Sequence, residues 1–115
     1  MKKIIRSQYL LKIKRIIDLD ENGDKFTLAP RNKNKIFLRE YGLKFNDIKN
    51  IIRNLSVEDC FEGPELDRDS EYNGLIFKFC PIFEKIKLYI KIRIENDEKT
   101  VCISLHEYGL YSEES

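Results

Sequence analysis

The chain has 115 residues, 42% of them apolar and 36% charged, with 21 Lys and Arg against 20 Asp and Glu. Residues 1–115 suit one small domain built on one core. The net charge of +1 leaves any attraction for a polyanion to a local patch, and no apolar run approaches the length of a membrane span.

The start, Met1-Lys2-Lys3-Ile4-Ile5-Arg6, is basic, but no apolar stretch with a cleavage site follows, so it does not read as a signal peptide. Ser7 is the candidate N-cap of a first helix over Gln8–Leu19. Leu10, Ile13 and Ile17 share a face there with Ile16 beside them, while Lys12, Lys14 and Arg15 face out. Asp20-Glu21-Asn22-Gly23-Asp24 ends this helix as a polar turn. Lys25–Leu28 is short enough for an edge strand, and Pro30 limits further pairing. Arg31-Asn32-Lys33-Asn34-Lys35 reads as a solvated loop in preference to a phosphate-contacting arm. Asn34 is the candidate cap of a second helix through Tyr41, with Phe37 and Tyr41 one turn apart and Gly42 as the stop. Asn46 is the candidate cap of a third, whose Ile48, Ile51, Ile52 and Leu55 follow the helical period. Ser56-Val57-Glu58-Asp59 starts one more turn. From Glu62 to Gly74 there is no period and many turn residues, so this stretch reads as a long loop of the kind that is often functional or mobile.

Three strands are predicted next, Leu75–Cys80, Ile86–Glu95 and Thr100–His106, joined by connections that suit antiparallel hairpins. The tail, residues 107–115, reads as frayed. Helices in the first half and strands in the second predict an α+β fold, with N-terminal helices packed on a C-terminal antiparallel β-sheet.

The middle strand carries the functional signal. Leu88, Ile90, Ile92 and Ile94 alternate with Lys87, Tyr89, Lys91 and Arg93, so one face is apolar and the other holds three cations and a phenol with no acid. Like charges side by side repel by up to about 1 kcal/mol per close pair, which a bound polyanion would relieve. A hairpin closed over Asp97-Glu98 pairs Ile94 with Val101, Ile92 with Ile103 and Ile90 with Leu105. The same register pairs Arg93 with Cys102, Lys91 with Ser104 and Tyr89 with His106. Lys78 of the preceding strand is expected near Tyr89 on this face. Such a cluster has recognisable chemistry. Imidazole exchanges protons near neutrality, cations hold a phosphate and its developing charge, and a phenol orients a phosphate oxygen or stacks on a base. Cleavage of RNA by its own 2′-hydroxyl would need no metal. The same face also suits a non-catalytic module that holds RNA or an acidic protein.

Three widely spaced cysteines, Cys60, Cys80 and Cys102, with no C-x-x-C, argue against a disulfide framework or a zinc site and read as small buried thiols of a cytoplasmic protein. No metal site and no cofactor are expected.

Several segments occur in an order and spacing that resemble a known family. They are Leu43-Lys44-Phe45, Asn54-Leu55-Ser56-Val57-Glu58-Asp59, Leu88-Tyr89-Ile90-Lys91-Ile92 and Val101-Cys102-Ile103-Ser104-Leu105-His106. With Gly63-Pro64-Glu65-Leu66-Asp67-Arg68-Asp69, the set looks like the MqsR (motility quorum-sensing regulator) family of bacterial toxins, over about residues 8–107. The resemblance implies a RelE-like fold and a metal-independent endoribonuclease acting on mRNA, an mRNA interferase. It also implies inhibition by a cognate antitoxin protein, with no DNA binding by this chain alone. The family's strand tyrosine falls on Tyr89, its basic residue at the end of the last strand on His106, and its polar residue in the preceding strand on Lys78. The family's lysine after the Asp-aromatic stretch has no match, because Glu62 stands there, and Lys91 or Arg68 is left to supply the charge. The expected catalytic residues are therefore His106, Tyr89 and Lys78, and the expected RNA contacts are Lys91, Arg93, Lys87 and Arg68.

Overall fold

In the computed structural model, which describes residues 2–68 and 74–111, the first helix, α1, runs over Lys2–Leu19. Leu10, Ile13, Ile16 and Ile17 form its buried stripe, as the period requires. The helix begins well before Ser7 because Arg6 ties its first turns to the sheet. Its guanidinium donates to the carbonyls of Gly63 at 2.8 Å and Cys60 at 3.3 Å. The turn after α1 is built around a buried carboxylate. Asp20 accepts from the amides of Gly23, Lys25 and Phe26 and pairs with Lys49 at 2.7 Å.

Strand β1, Phe26–Leu28, lies at one edge of the sheet and pairs in parallel with the last strand. Helix α2, Asn32–Tyr41, follows directly, so the basic stretch after Pro30 is helical rather than a loop. Arg31 is its N-cap and its carbonyl receives the Lys35 amide, while Asn34 lies inside the helix and is buried. Gly42 ends α2 in the left-handed conformation expected of a glycine stop, with φ 62°. Helix α3, Phe45–Arg53, buries Ile48, Ile51 and Ile52. Its N-cap is Lys44 rather than Asn46, and the Asp47 carboxylate accepts the Lys44 amide at 2.8 Å. A 3₁₀ turn over Val57–Asp59 follows.

The stretch expected to be a loop begins as a strand. β2, Cys60–Leu66, forms the far edge of the sheet, antiparallel to β3, Gly74–Phe79. Its register shifts between Cys60 and Glu62 and again between Glu62 and Glu65, which erases the alternation that marks a strand. Pro64 is tolerated because an edge strand need not donate outward. Gly63, at φ 111°, packs its backbone against Ile76 and Phe77, where a side chain would clash. The remainder of that expected loop includes residues 69–73, which lie outside the described residues.

A two-residue strand, β4, Ile82–Phe83, turns into β5, Ile86–Glu95, and β5 pairs antiparallel with both β3 and β6, Lys99–Glu107. The sheet order is β1-β6-β5-β3-β2. The fold is thus α+β, with helices N-terminal and the sheet C-terminal. The sheet is mixed rather than purely antiparallel, because β1 joins it in parallel. One face carries Phe77, Phe79, Leu88, Ile90, Ile92, Ile94, Cys102 and Leu105 into a core shared with α1, α2 and α3. The tail does not fray at once. Glu107 completes β6, and the Tyr108 amide donates to the Lys87 carbonyl at 2.8 Å. Residues 112–115 of the expected tail lie outside the described residues.

The β5–β6 register corrects half of the expected pairing. Asn96 and Asp97 both adopt positive φ, 52° and 58°, a conformation that Asn and Asp tolerate better than other side chains. The turn therefore takes in Asn96 as well as Asp97 and Glu98, and the pairing slips by one residue, with Glu95 opposite Lys99, Arg93 opposite Val101 and Ile92 opposite Cys102. A shift between Lys91 and Ile92 then restores the expected pairs Lys91–Ser104, Ile90–Leu105 and Tyr89–His106.

Candidate functional site

Tyr89 and His106 are directly opposite on the sheet face away from the helical core, with rings stacked at 5.3 Å and 22°. The His106 Nδ1 lies 3.1 Å from the Glu107 carbonyl oxygen. A carbonyl can only accept, so this hydrogen bond places a proton on Nδ1 and, in the neutral ring, the lone pair on Nε2. Both rings are covered, Tyr89 being 4% and His106 2% exposed. Tyr111 meets His106 edge-on at 4.8 Å, and Lys33 lies over the Tyr111 ring. Phe61 and Tyr108 surround Tyr89, each with its ring centre 6.3 Å away, and Lys87 lies over Tyr108 at 4.4 Å.

Beside this pair, Lys78 of β3 stands opposite Lys91 of β5 and, from β2, opposite Glu62. The Lys78 ammonium pairs with the Glu62 carboxylate at 3.1 Å. Burial disfavours its charge, but Glu62 and the neighbouring Tyr89 outweigh burial and raise its pKa, so Lys78 remains an ammonium. The Lys78 ammonium in turn holds Glu62 below the usual carboxylate range, outweighing burial. Lys91 lies opposite Ser104, whose hydroxyl accepts from the Arg31 guanidinium at 2.9 Å. A cleft of about 560 Å³ opens alongside, lined by Glu65, Asp67, Arg68, Ile76, Lys78 and Lys91.

The structure thus gathers Tyr89, His106, Lys78 and Lys91, and sets exposed Arg68 at the cleft and exposed Lys87 at the aromatic rim. Arg93 is differently placed. It pairs with Glu95 at 2.7 Å and Asp67 at 3.0 Å, so it holds the β2 end against the sheet. Burial works against its charge, yet these two carboxylates raise its pKa further. The face is therefore mixed in sign, with Glu62, Glu65, Asp67 and Glu95 among the cations. The β5 alternation could show only Glu95, since the other three acids come from β2 and the residue after it. Arg31, Phe61, Tyr108 and Tyr111 were likewise not expected here as site residues. The two tyrosines, three apart in the tail, were the legible sign that this segment packs.

Among the described residues, no group of three or more His, Cys, Asp or Glu side chains is placed to hold a metal ion. No helix among them is long and apolar enough to cross a membrane. The chain matches no family model, no curated protein and no solved structure.

Proposed function

We propose that this chain is a metal-independent endoribonuclease, the toxin component of a type II toxin–antitoxin system. The observation that carries the nuclease reading is the stacked Tyr89–His106 pair beside the Lys78 and Lys91 ammonium groups. The imidazole Nε2 takes the proton of a ribose 2′-hydroxyl, and the 2′-oxygen attacks the adjacent phosphorus. Lys78 and Lys91 stabilise the charge gathering on the phosphate oxygens, and the Tyr89 hydroxyl orients one of them. The bond from phosphorus to the 5′-oxygen breaks, and that oxygen gains a proton from solvent. The products are a 2′,3′-cyclic phosphate and a 5′-hydroxyl. Because Tyr108 and Tyr111 lie over the pair, RNA reaches it when the segment 108–111 lifts.

The toxin assignment, mRNA as substrate, the cytoplasmic location in a bacterium, a cognate antitoxin as inhibitor and the lack of DNA binding rest on the resemblance to the MqsR family. In that comparison Glu62 fills the family's lysine position, and Lys78 stands directly opposite it. The ammonium is then supplied from the neighbouring strand.

The burial of His106 and Tyr89 favours a second reading, a non-catalytic RNA- or protein-binding module using the outer cations. Incubation of the protein with RNA in EDTA, followed by end-group analysis, separates the two. The nuclease yields cyclic phosphate ends, and His106→Ala and Tyr89→Phe each slow it by about 10²-fold. Binding without cleavage, or cleavage untouched by both substitutions in folded protein, rejects it.

A further inference from the structure

We propose that Asn34 is a positioning residue that turns His106 onto the Tyr89 face, an inference that gives the nuclease reading above its geometry. The turn sets Glu95 opposite Lys99, Ile94 opposite Thr100, Arg93 opposite Val101 and Ile92 opposite Cys102. Continued unbroken, that register would bring Leu105 opposite Tyr89 and His106 opposite Leu88, whose side chain lies in the core. One extra residue, Ile103, stands between Cys102 and Ser104 and reverses this, so that Ser104 meets Lys91 and His106 meets Tyr89.

A bulge needs its loosened backbone groups satisfied. Strand β1 cannot do it, because its pairing with β6 ends at Leu28–Cys102 and the last amide beyond it, Ala29, donates to the Cys102 carbonyl. Asn34 takes over where β1 stops. Its Oδ1 accepts the Leu105 amide at 2.8 Å, and its Nδ2 donates to the Ile103 carbonyl and to the Ala29 carbonyl, each at 3.0 Å. One buried amide therefore grips the extra residue and the strand just beyond it, and joins them to the residue that follows β1. Only a primary amide offers one acceptor and two donor hydrogens at that reach. Aspartate would turn an acceptor toward two carbonyls, and alanine would take this partner from the Ile103 carbonyl and the Leu105 amide, while the Ala29 carbonyl would keep the Arg31 amide at 2.8 Å.

The test follows ring contacts between Tyr89 and His106 by proton NMR in the full chain, together with RNA cleavage. Asn34→Ala is expected to lose that contact while keeping the core signals, and to lower kcat by about 10²-fold with KM little changed, as for a misplaced catalytic group. Deletion of Ile103 supplies the decisive background. Without the extra residue the turn register itself carries His106 to Tyr89, so Asn34→Ala combined with the deletion is expected to keep the ring contact. An intact contact in Asn34→Ala overturns the proposal. So does a combined variant that lacks the contact or does not fold, because Asn34 would then be a general support rather than a clamp on the bulge. The ring contact is read without RNA, so a wild-type chain that cuts no RNA would reject the nuclease and leave this positioning to be decided by NMR.

Discussion

Glu62 and Lys78 face each other across β2 and β3, carboxylate to ammonium at 3.1 Å, on the face that carries Tyr89 and His106. The carboxylate occupies the cation that would otherwise meet a phosphate. Glu62→Gln is therefore expected to tighten binding of a single-stranded oligonucleotide, and Lys78→Met to weaken it. The Glu62 side chain is 40% exposed, so the pair is screened. Such pairs are worth up to about 1 kcal/mol, which is roughly fivefold in affinity. Fluorescence anisotropy with a 2′-deoxy oligonucleotide, which cannot be cut through the 2′-oxygen, measures this directly. Equal affinities for Glu62→Gln and the wild type would remove Lys78 from the phosphate contacts.

His106 lies under the edge of Tyr111, and it is the chain's single histidine. Tyr111→Ala is expected to speed the reaction of that imidazole with diethyl pyrocarbonate severalfold, read by absorbance at neutral pH. The core is untouched by the substitution, so circular dichroism should be unchanged. An unaltered rate would mean that Tyr111 is not the cover that RNA has to displace.

Far from the site, Asp20 and Lys49 form a buried pair whose side chains are almost wholly shielded from solvent. Burial alone would raise the Asp20 pKa, but Lys49 and the amides of Lys25, Phe26 and Gly23 outweigh it and hold the carboxyl well below its usual range. A depressed carboxylate contributes stability that is complete above its unfolded pKa, about 4, and is lost as pH falls toward the lowered folded value. Asp20→Ala strands the Lys49 charge in the interior. Urea unfolding at neutral pH is expected to show a loss of about 3–5 kcal/mol. The deficit should shrink as the pH falls below about 4, since the wild type loses the same contribution there. A loss that does not change with pH would assign the effect to packing rather than to the charge.

Elements with unbroken periods were legible. The strand Ile86–Glu95 was placed with its full bounds, and the buried faces of α1 and α3 follow from apolar spacing alone. β2 was not legible, because its two register shifts and Gly63-Pro64 remove the alternation from which strands are recognised. The start of α2 was hidden for a different reason. Arg31 to Lys35 looks solvated by composition, yet Asn34 is drawn inside by backbone groups of Ala29 and β6.

The Tyr89–His106 pair shows both sides of this division. The sequence by itself determined that two alternating strands form a hairpin and that the phenol and the imidazole belong to its polar positions, since alternation is a property of each strand alone. It also determined the apolar face that must be buried. The tertiary structure decided the rest. The turn gained Asn96 because Asn96 and Asp97 accept positive φ, and the bulge at Ile103 compensated for the one-residue slip in pairing. Asn34 holds that bulge from another element. The acids that offset Lys78 and Arg93 come from β2 and its end, and the cover comes from Tyr108 and Tyr111. Register, neutralisation and cover depend on contacts between residues distant in sequence, and a local period carries no record of them.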